Sequence, residues 1–286
     1  MNSVLRGNMT QPPFDADVLS RFRRILLTAR RRRTVADRLE HRDYAPGDDY
    51  RRIDWRVCAR RDDLFTRTAE DDRDVPAYVL LDCSASMSIG DPPKFGLART
   101  IAAMVGYRAL ADLRQCGLTA FAGRAVSDLP AIRGLSRVGR VLRFLENLSP
   151  QGDQTDLARA AEDFVRRYQP HGTATVITDC HDRIGYARGL QILAARGYKP
   201  RLVHLYAPCE ADPGVLGDVE LFDVESHRSR RVVVTERTAA RYRRHFDRFR
   251  ESIRGDCSRC GIVCLQVACD APEDDILQSV LRLESS

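Results

Sequence analysis

Asp82, Ser84 and Ser86 stand at alternate positions in Leu81-Asp-Cys-Ser-Ala-Ser-Met87, directly after the apolar run Ala77 to Leu81. One carboxylate and two hydroxyls at the turn where a buried strand leaves its sheet are hard oxygen donors. They suit Mg²⁺, Mn²⁺ or Ca²⁺ and suit neither zinc nor copper. Two further segments offer donors of the same kind. Gln151-Gly-Asp-Gln-Thr-Asp156 precedes a helical pattern, which puts Thr155 and Asp156 at a helix N-terminus, and Val176-Ile-Thr-Asp179 is a second apolar run ending on an aspartate. The expected cluster is Asp82, Ser84, Ser86, Thr155 and Asp179. The plainer reading is that these residue types cap helices and start turns.

The elements that must position them alternate in type. Apolar, β-type runs at Ala77–Leu81, Leu118–Phe121, Ala174–Thr178, Arg201–Tyr206 and Val219–Val224 are separated by helical patterns. Those patterns fall at Lys94–Leu113, Arg137–Leu148, Thr155–Tyr168 and Ala187–Arg196. This order predicts an α/β fold, a mostly parallel sheet with helices on both faces. Ligands in such sheets bind at the carboxyl ends of the strands, at a topological switch point. Asp82, Thr155 and Asp179 would then share one crevice.

Three regions are expected. Residues 1–75 are charged and turn-rich, with a helical pattern at Asp17–Arg31 and a Pro46-Gly47 turn signal; residues 76–227 form the α/β domain. Residues 228–286 add a strand at Arg231–Thr235, an arginine-rich helix at Arg237–Arg254, a strand at Ile262–Val267 and a helix at Glu273–Leu283, packed on the same domain.

The chain has 286 residues, 43% hydrophobic and 30% charged, enough for a sizeable core. No apolar stretch approaches the ~20 residues of a membrane span, and residues 1–13 lack a signal-peptide core, so a cytoplasmic protein is expected. Nine scattered cysteines, an odd number, do not read as a disulfide framework. Cys257-x-x-Cys260 with Cys264 and Cys269 hints at zinc, but the second pair is not spaced as a knuckle, and buried free thiols are expected.

The set Asp82-x-Ser84-x-Ser86, Thr155 and Asp179 resembles the metal-ion-dependent adhesion site (MIDAS) of von Willebrand factor A domains. That resemblance implies direct ligation by the three hydroxyls, with Asp82 and Asp179 often acting through water, and an open position for a partner's carboxylate. Upstream, Arg42-Asp-Tyr-Ala-Pro-Gly-Asp-Asp-Tyr-Arg-Arg-Ile-Asp-Trp-Arg56 looks like the hallmark of the bacterial "domain of unknown function 58" family, which joins this motif to a von Willebrand factor A domain. The resemblance covers about residues 20 to 285. Members are commonly encoded beside MoxR-type AAA+ ATPases, so it implies a role in chaperone-like assembly or maturation, with that ATPase or its client as protein partner. Cys83 and Cys180 adjoin the site aspartates, where oxidation would disturb them. Asp48, Asp49 and Asp54 are read as pairing with nearby arginines, and Trp55 as a packing anchor.

Two other readings compete. Arg21, Arg23, Arg24 and Arg30–Arg33 form one basic patch, and Arg241, Arg243, Arg244, Arg248 and Arg250 another, as a nucleic-acid binder would carry. They are interleaved with Asp37, Glu40, Asp247 and Glu251, and no reading motif accompanies them. A metal-dependent hydrolase would use His181 and Asp182 beside Asp179, but there is no phosphate-cradling loop, no Gly-x-Ser-x-Gly elbow and no zinc-type histidine spacing. A non-enzymatic protein-interaction module is the expectation.

Overall fold

The computed structural model describes residues 41–43, 58, 65–67, 75–152, 154–169, 171–182, 185–222 and 229–283. The helical pattern at 17–31, most of the 42–56 signature and the first basic patch lie outside them. Two short strands, β1 (His41–Asp43) and β2 (Phe65–Arg67), pair antiparallel with His41 opposite Arg67.

The central sheet has six strands in the order β10-β7-β6-β3-β4-β5. They are β3 (Ala77–Asp82), β4 (Gln115–Phe121), β5 (Ala125–Arg133), β6 (Thr173–Thr178), β7 (Lys199–Tyr206) and β10 (Val263–Ala268). All neighbours are parallel except β4 and β5. The chain runs outward from β3 through β4 to β5, then returns to the other side of β3 as β6. The strand order therefore reverses at β3, and the crevice at its carboxyl end is the switch point.

Period-two alternation assigns the two layers. Val79 and Leu81 join the cluster containing Ile101 and Met104 of α1 (Lys94–Ala111), Val141 and Leu145 of α2 (Val138–Glu146), and Leu277 and Val280 of α6 (Glu273–Leu283). Tyr78 and Leu80 face the opposite layer. There they meet Phe164 of α3 (Leu157–Arg167), Leu190 and Leu193 of α4 (Tyr186–Ala195), and Ile253 of α5 (Glu236–Arg259). All six residues of β3 are buried, because both faces are covered. This is the expected mostly parallel α/β sheet with helices on both faces.

Two expectations need revision. The stretch Ala125–Arg133, without a strand signal in the sequence, is a strand; Pro130 and its mixed polar pattern suit an antiparallel edge. The runs at Val219–Val224 and Arg231–Thr235 do form strands, β8 (Gly217–Phe222) and β9 (Ser229–Val234). Among the described residues they pair only with each other, outside the central sheet. Leu221 and Val233 are exposed there. No helix among the described residues is long and apolar enough to cross a membrane.

Candidate metal centre

Three loops meet above the end of β3, and backbone hydrogen bonds fasten them together. Gln151 N donates to Cys83 O at 2.6 Å, tying the second loop to the first. Asp156 N donates to Ala122 O at 3.1 Å, beyond the end of β4. Leu157 N donates to Asp182 Oδ2 at 2.9 Å, tying the second loop to the third. Asp156 caps α3 by accepting from Arg159 N at 2.9 Å, so the helix begins at Leu157 and Thr155 stays in the loop.

Asp82 ends β3 with no exposed surface. Its Oδ1 accepts from Ser84 N at 2.9 Å and its Oδ2 from Thr178 Oγ1 at 2.6 Å. The Ser84 and Ser86 hydroxyls are 3.0 Å apart and bond each other. Asp179, also fully buried, follows β6; its Oδ1 accepts from His181 N at 3.0 Å. Thr155 is 4% exposed, and its Oγ1 has no hydrogen-bond partner among the described residues. A buried hydroxyl without a partner costs about 1–3 kcal/mol, which makes it the feature of the loop that most calls for a ligand. The structure thus brings Asp82, Ser84, Ser86 and Asp179 together and ties the Thr155 loop to the loops that carry them.

The electrostatics divide the two aspartates. Burial, then the neighbouring Asp179 charge, pushes Asp82 up to about 7, against the lowering effect of the Thr178 and Ser84 hydrogen bonds. Burial would raise Asp179 as well, but the Lys94 ammonium and His181 outweigh it and hold this carboxyl below its usual range. The thiols beside these aspartates stay neutral. Burial pushes both Cys83 and Cys180 up, and Cys83 Sγ lies 3.6 Å from Leu81 O.

The family described as Protein of unknown function DUF58 matches residues 40–253. The chain belongs to this family. An uncharacterized protein of Mycobacterium tuberculosis, Rv1480, is 28% identical over 251 residues, covering 86% of this chain and 78% of its own length. An aerotolerance-related membrane protein from Bacteroides fragilis superposes with a TM-score of 0.50 at 17% identity, over 74% of this chain and 100% of that one. A von Willebrand factor type A protein from Catenulispora acidiphila matches with a TM-score of 0.38 at 18% identity, over 50% of this chain and 35% of that one. At 17% identity the likeness to the Bacteroides fragilis protein bears on the fold alone.

This DUF58 chain carries two site residues that motif reading missed. Lys94, the first residue of α1, has no exposed surface, and its Nζ donates to Asp179 Oδ2 at 2.7 Å. The same ammonium bonds Glu210 Oε1, from the helical turn Pro208–Ala211 that follows β7. Glu210 is itself held, because its Oε2 accepts from Ala207 N at 2.7 Å. His181 Nε2 lies 3.6 Å from Glu210 Oε1, with its ring stacked 5.5 Å from that of Phe249. Only the tertiary fold exposes this arrangement, since Lys94 reads in sequence as an ordinary helix-start residue.

The other sequence candidates fall elsewhere. Asp182 is engaged by the Leu157 and Gly185 amides, the latter at 3.2 Å. Cys257 and Cys269 are buried, but Cys260 is exposed and Cys264 half-buried, so these four thiols are not uniformly internal. In the second basic patch, Arg243 pairs with Asp212 at 3.0 Å and the Arg250 guanidinium lies 4.3 Å from the centre of the Tyr206 ring.

Proposed function

We infer that this DUF58 chain is a non-enzymatic protein-interaction module that grips a partner through a divalent ion. Asp82, Ser84, Ser86, Thr155 and Asp179 are the residues that would hold it. Mg²⁺ is the ion the donor set favours, with Mn²⁺ or Ca²⁺ as substitutes. The observation that carries this reading is the buried Thr155 hydroxyl, without a hydrogen-bond partner among the described residues, on a loop tied to the one holding the Ser84–Ser86 hydroxyl pair.

The donors fit such an ion in kind and in charge. They are all oxygens, as a hard cation requires. Asp82, Asp179 and Glu210, when ionised, outnumber the Lys94 ammonium and the neighbouring His181, which leaves negative charge for an arriving cation. The ion would supply Lewis acidity toward a carboxylate. The chain's own residues do the rest: Thr178 and the Ser84 amide orient Asp82, and the His181 amide orients Asp179. Among the described residues, Asp182 is engaged by backbone amides, and the His181 ring stacks on Phe249 with Nε2 turned to Glu210, 3.6 Å away.

The partner class we favour is a MoxR-type AAA+ ATPase or its client, with the chain acting in chaperone-like assembly or maturation in the cytoplasm. Residues 228–286 then belong to the adhesion unit, because β10 extends its sheet beside β7. Purified ATPase of that type should bind the wild-type protein in Mg²⁺ and not in chelator, and should not bind Asp82→Ala. Equal binding in all three conditions sinks the adhesion reading.

A further inference from the structure

Lys94 is the least expected residue of the site. A lysine with no exposed side-chain surface is costly unless fully paired, because its charge has left water. Here it is paired twice, to Asp179 Oδ2 at 2.7 Å and to Glu210 Oε1. Burial alone would lower its affinity for a proton; Asp179 and Glu210 outweigh that, so it stays an ammonium.

The approach of this residue to the site is built into the backbone. Lys94 N donates to Ile89 O at 3.1 Å, closing the loop that leads from Ser86 into α1. Gly90, at φ +113°, sits inside that loop, and a Cβ there would lie 2.9 Å from the Ala207 Cβ. A side chain at position 90 would therefore push the loop away from the very turn that carries Glu210. The close approach delivers Lys94 to Glu210 as well as to Asp179.

The consequence is a competition at Asp179. One oxygen of this carboxylate is held by the His181 amide and the other by the Lys94 ammonium. An ion arriving among Asp82, Ser84 and Ser86 meets a resident positive charge, which repels it steeply where water is scarce. Glu210 gives that charge another place to rest, since its Oε1 already accepts from Nζ.

We propose that Lys94 is the site's built-in cation: its ammonium holds Asp179 until a divalent ion arrives and then rests on Glu210, so that Lys94 weakens and Glu210 permits ion binding. This rests on the metal-adhesion reading above and adds how the site's affinity is set. Lys94 and Glu210 act as positioning residues, not as ligands.

Mn²⁺ alone is the probe, followed by loss of its free-ion paramagnetic resonance signal and by thermal melting of each variant. Lys94→Met should bind Mn²⁺ about tenfold tighter or more than wild type, and Glu210→Gln about tenfold weaker. In the Lys94→Met, Glu210→Gln double variant the Glu210→Gln penalty should shrink to about threefold or less, because no ammonium remains to reseat. A merely structural role predicts weaker binding on losing Lys94, the opposite sign. Equal or weaker binding by Lys94→Met, or an undiminished Glu210→Gln penalty in the double variant, overturns the proposal. Should Lys94→Met fail to fold, Glu210→Gln decides alone, and wild-type affinity in it overturns the proposal. If neither wild type nor any folded variant takes up Mn²⁺, the metal reading itself falls and this inference with it. Stoichiometric uptake that is the same in every variant, yet lost in Asp82→Ala, removes only this inference.

Discussion

Replacing Thr155 by valine separates the cost of the site from its use. The side chain keeps its branched shape but loses the Oγ1 that is buried without a partner. An unmet buried hydroxyl costs about 1–3 kcal/mol, so the metal-free variant should be the more stable protein by about 1–2 kcal/mol. For a domain of this size each kcal/mol moves the melting temperature by about 2–4 °C, which predicts a rise of about 2–8 °C in chelator. In Mg²⁺ the order should narrow or invert. An ion at a hundred times its Kd stabilises by about 2.7 kcal/mol, and a tenfold weaker Kd removes about 1.4 kcal/mol of that. Paired melting curves of wild type and Thr155→Val, in chelator and in Mg²⁺, read both effects. A lower melting temperature for the variant in chelator would show the hydroxyl to be bonded in the folded chain. An equal Mg²⁺-induced shift in the two proteins would show that it is not a ligand.

Asp82 gives a pH signature. Its carboxyl is pushed up to about 7 by burial and by Asp179, so the folded chain holds this proton more tightly than the unfolded one. The resulting stability is full below the ordinary carboxylate value near 4 and is lost as pH rises to about 7. Relative to Asp82→Asn, metal-free wild type should therefore lose up to about 4 kcal/mol across that window, read by denaturant melts; a flat difference refutes the shift. Mn²⁺ affinity of the wild type should climb over the same window and level off above it. At a distance from the donors, a Cβ on Gly189 of α4 would lie 2.4 Å from Leu157 Cγ and 2.8 Å from its backbone carbon. Gly189→Ala should thus cost about 1–3 kcal/mol and weaken ion binding by displacing the start of α3 and Thr155 with it. Unchanged Mn²⁺ affinity in that variant would separate the α3–α4 contact from the site.

The parts legible in the sequence were those with a strong local signal. The runs ending at Asp82 and Thr178 are buried at every position because both faces of the sheet are covered, and their mostly apolar and β-branched residues mark buried parallel strands. The order of strands and helices was enough to place their ends at one switch point. The missed pieces lack such a signal. Ala125–Arg133 alternates irregularly and contains Pro130, as an edge strand tolerates and a central one does not. The strands at Gly217–Phe222 and Ser229–Val234 look like sheet members by composition, yet pair only with each other. Pairing partners are a tertiary fact that propensity does not carry. Lys94 and Glu210 are 116 positions apart, and no spacing rule links them; their meeting depends on the Gly90 loop packing against Ala207.

The central claim is that a divalent ion held above β3 is what binds this chain to its partner. Its most direct test is affinity capture from the native cell extract, with wild type in Mg²⁺, wild type in chelator and Asp82→Ala in Mg²⁺ compared side by side, and the bound proteins identified. A partner, a AAA+ ATPase of MoxR type or its client, should be recovered in the first condition and lost in the other two. The same proteins recovered from all three would contradict it.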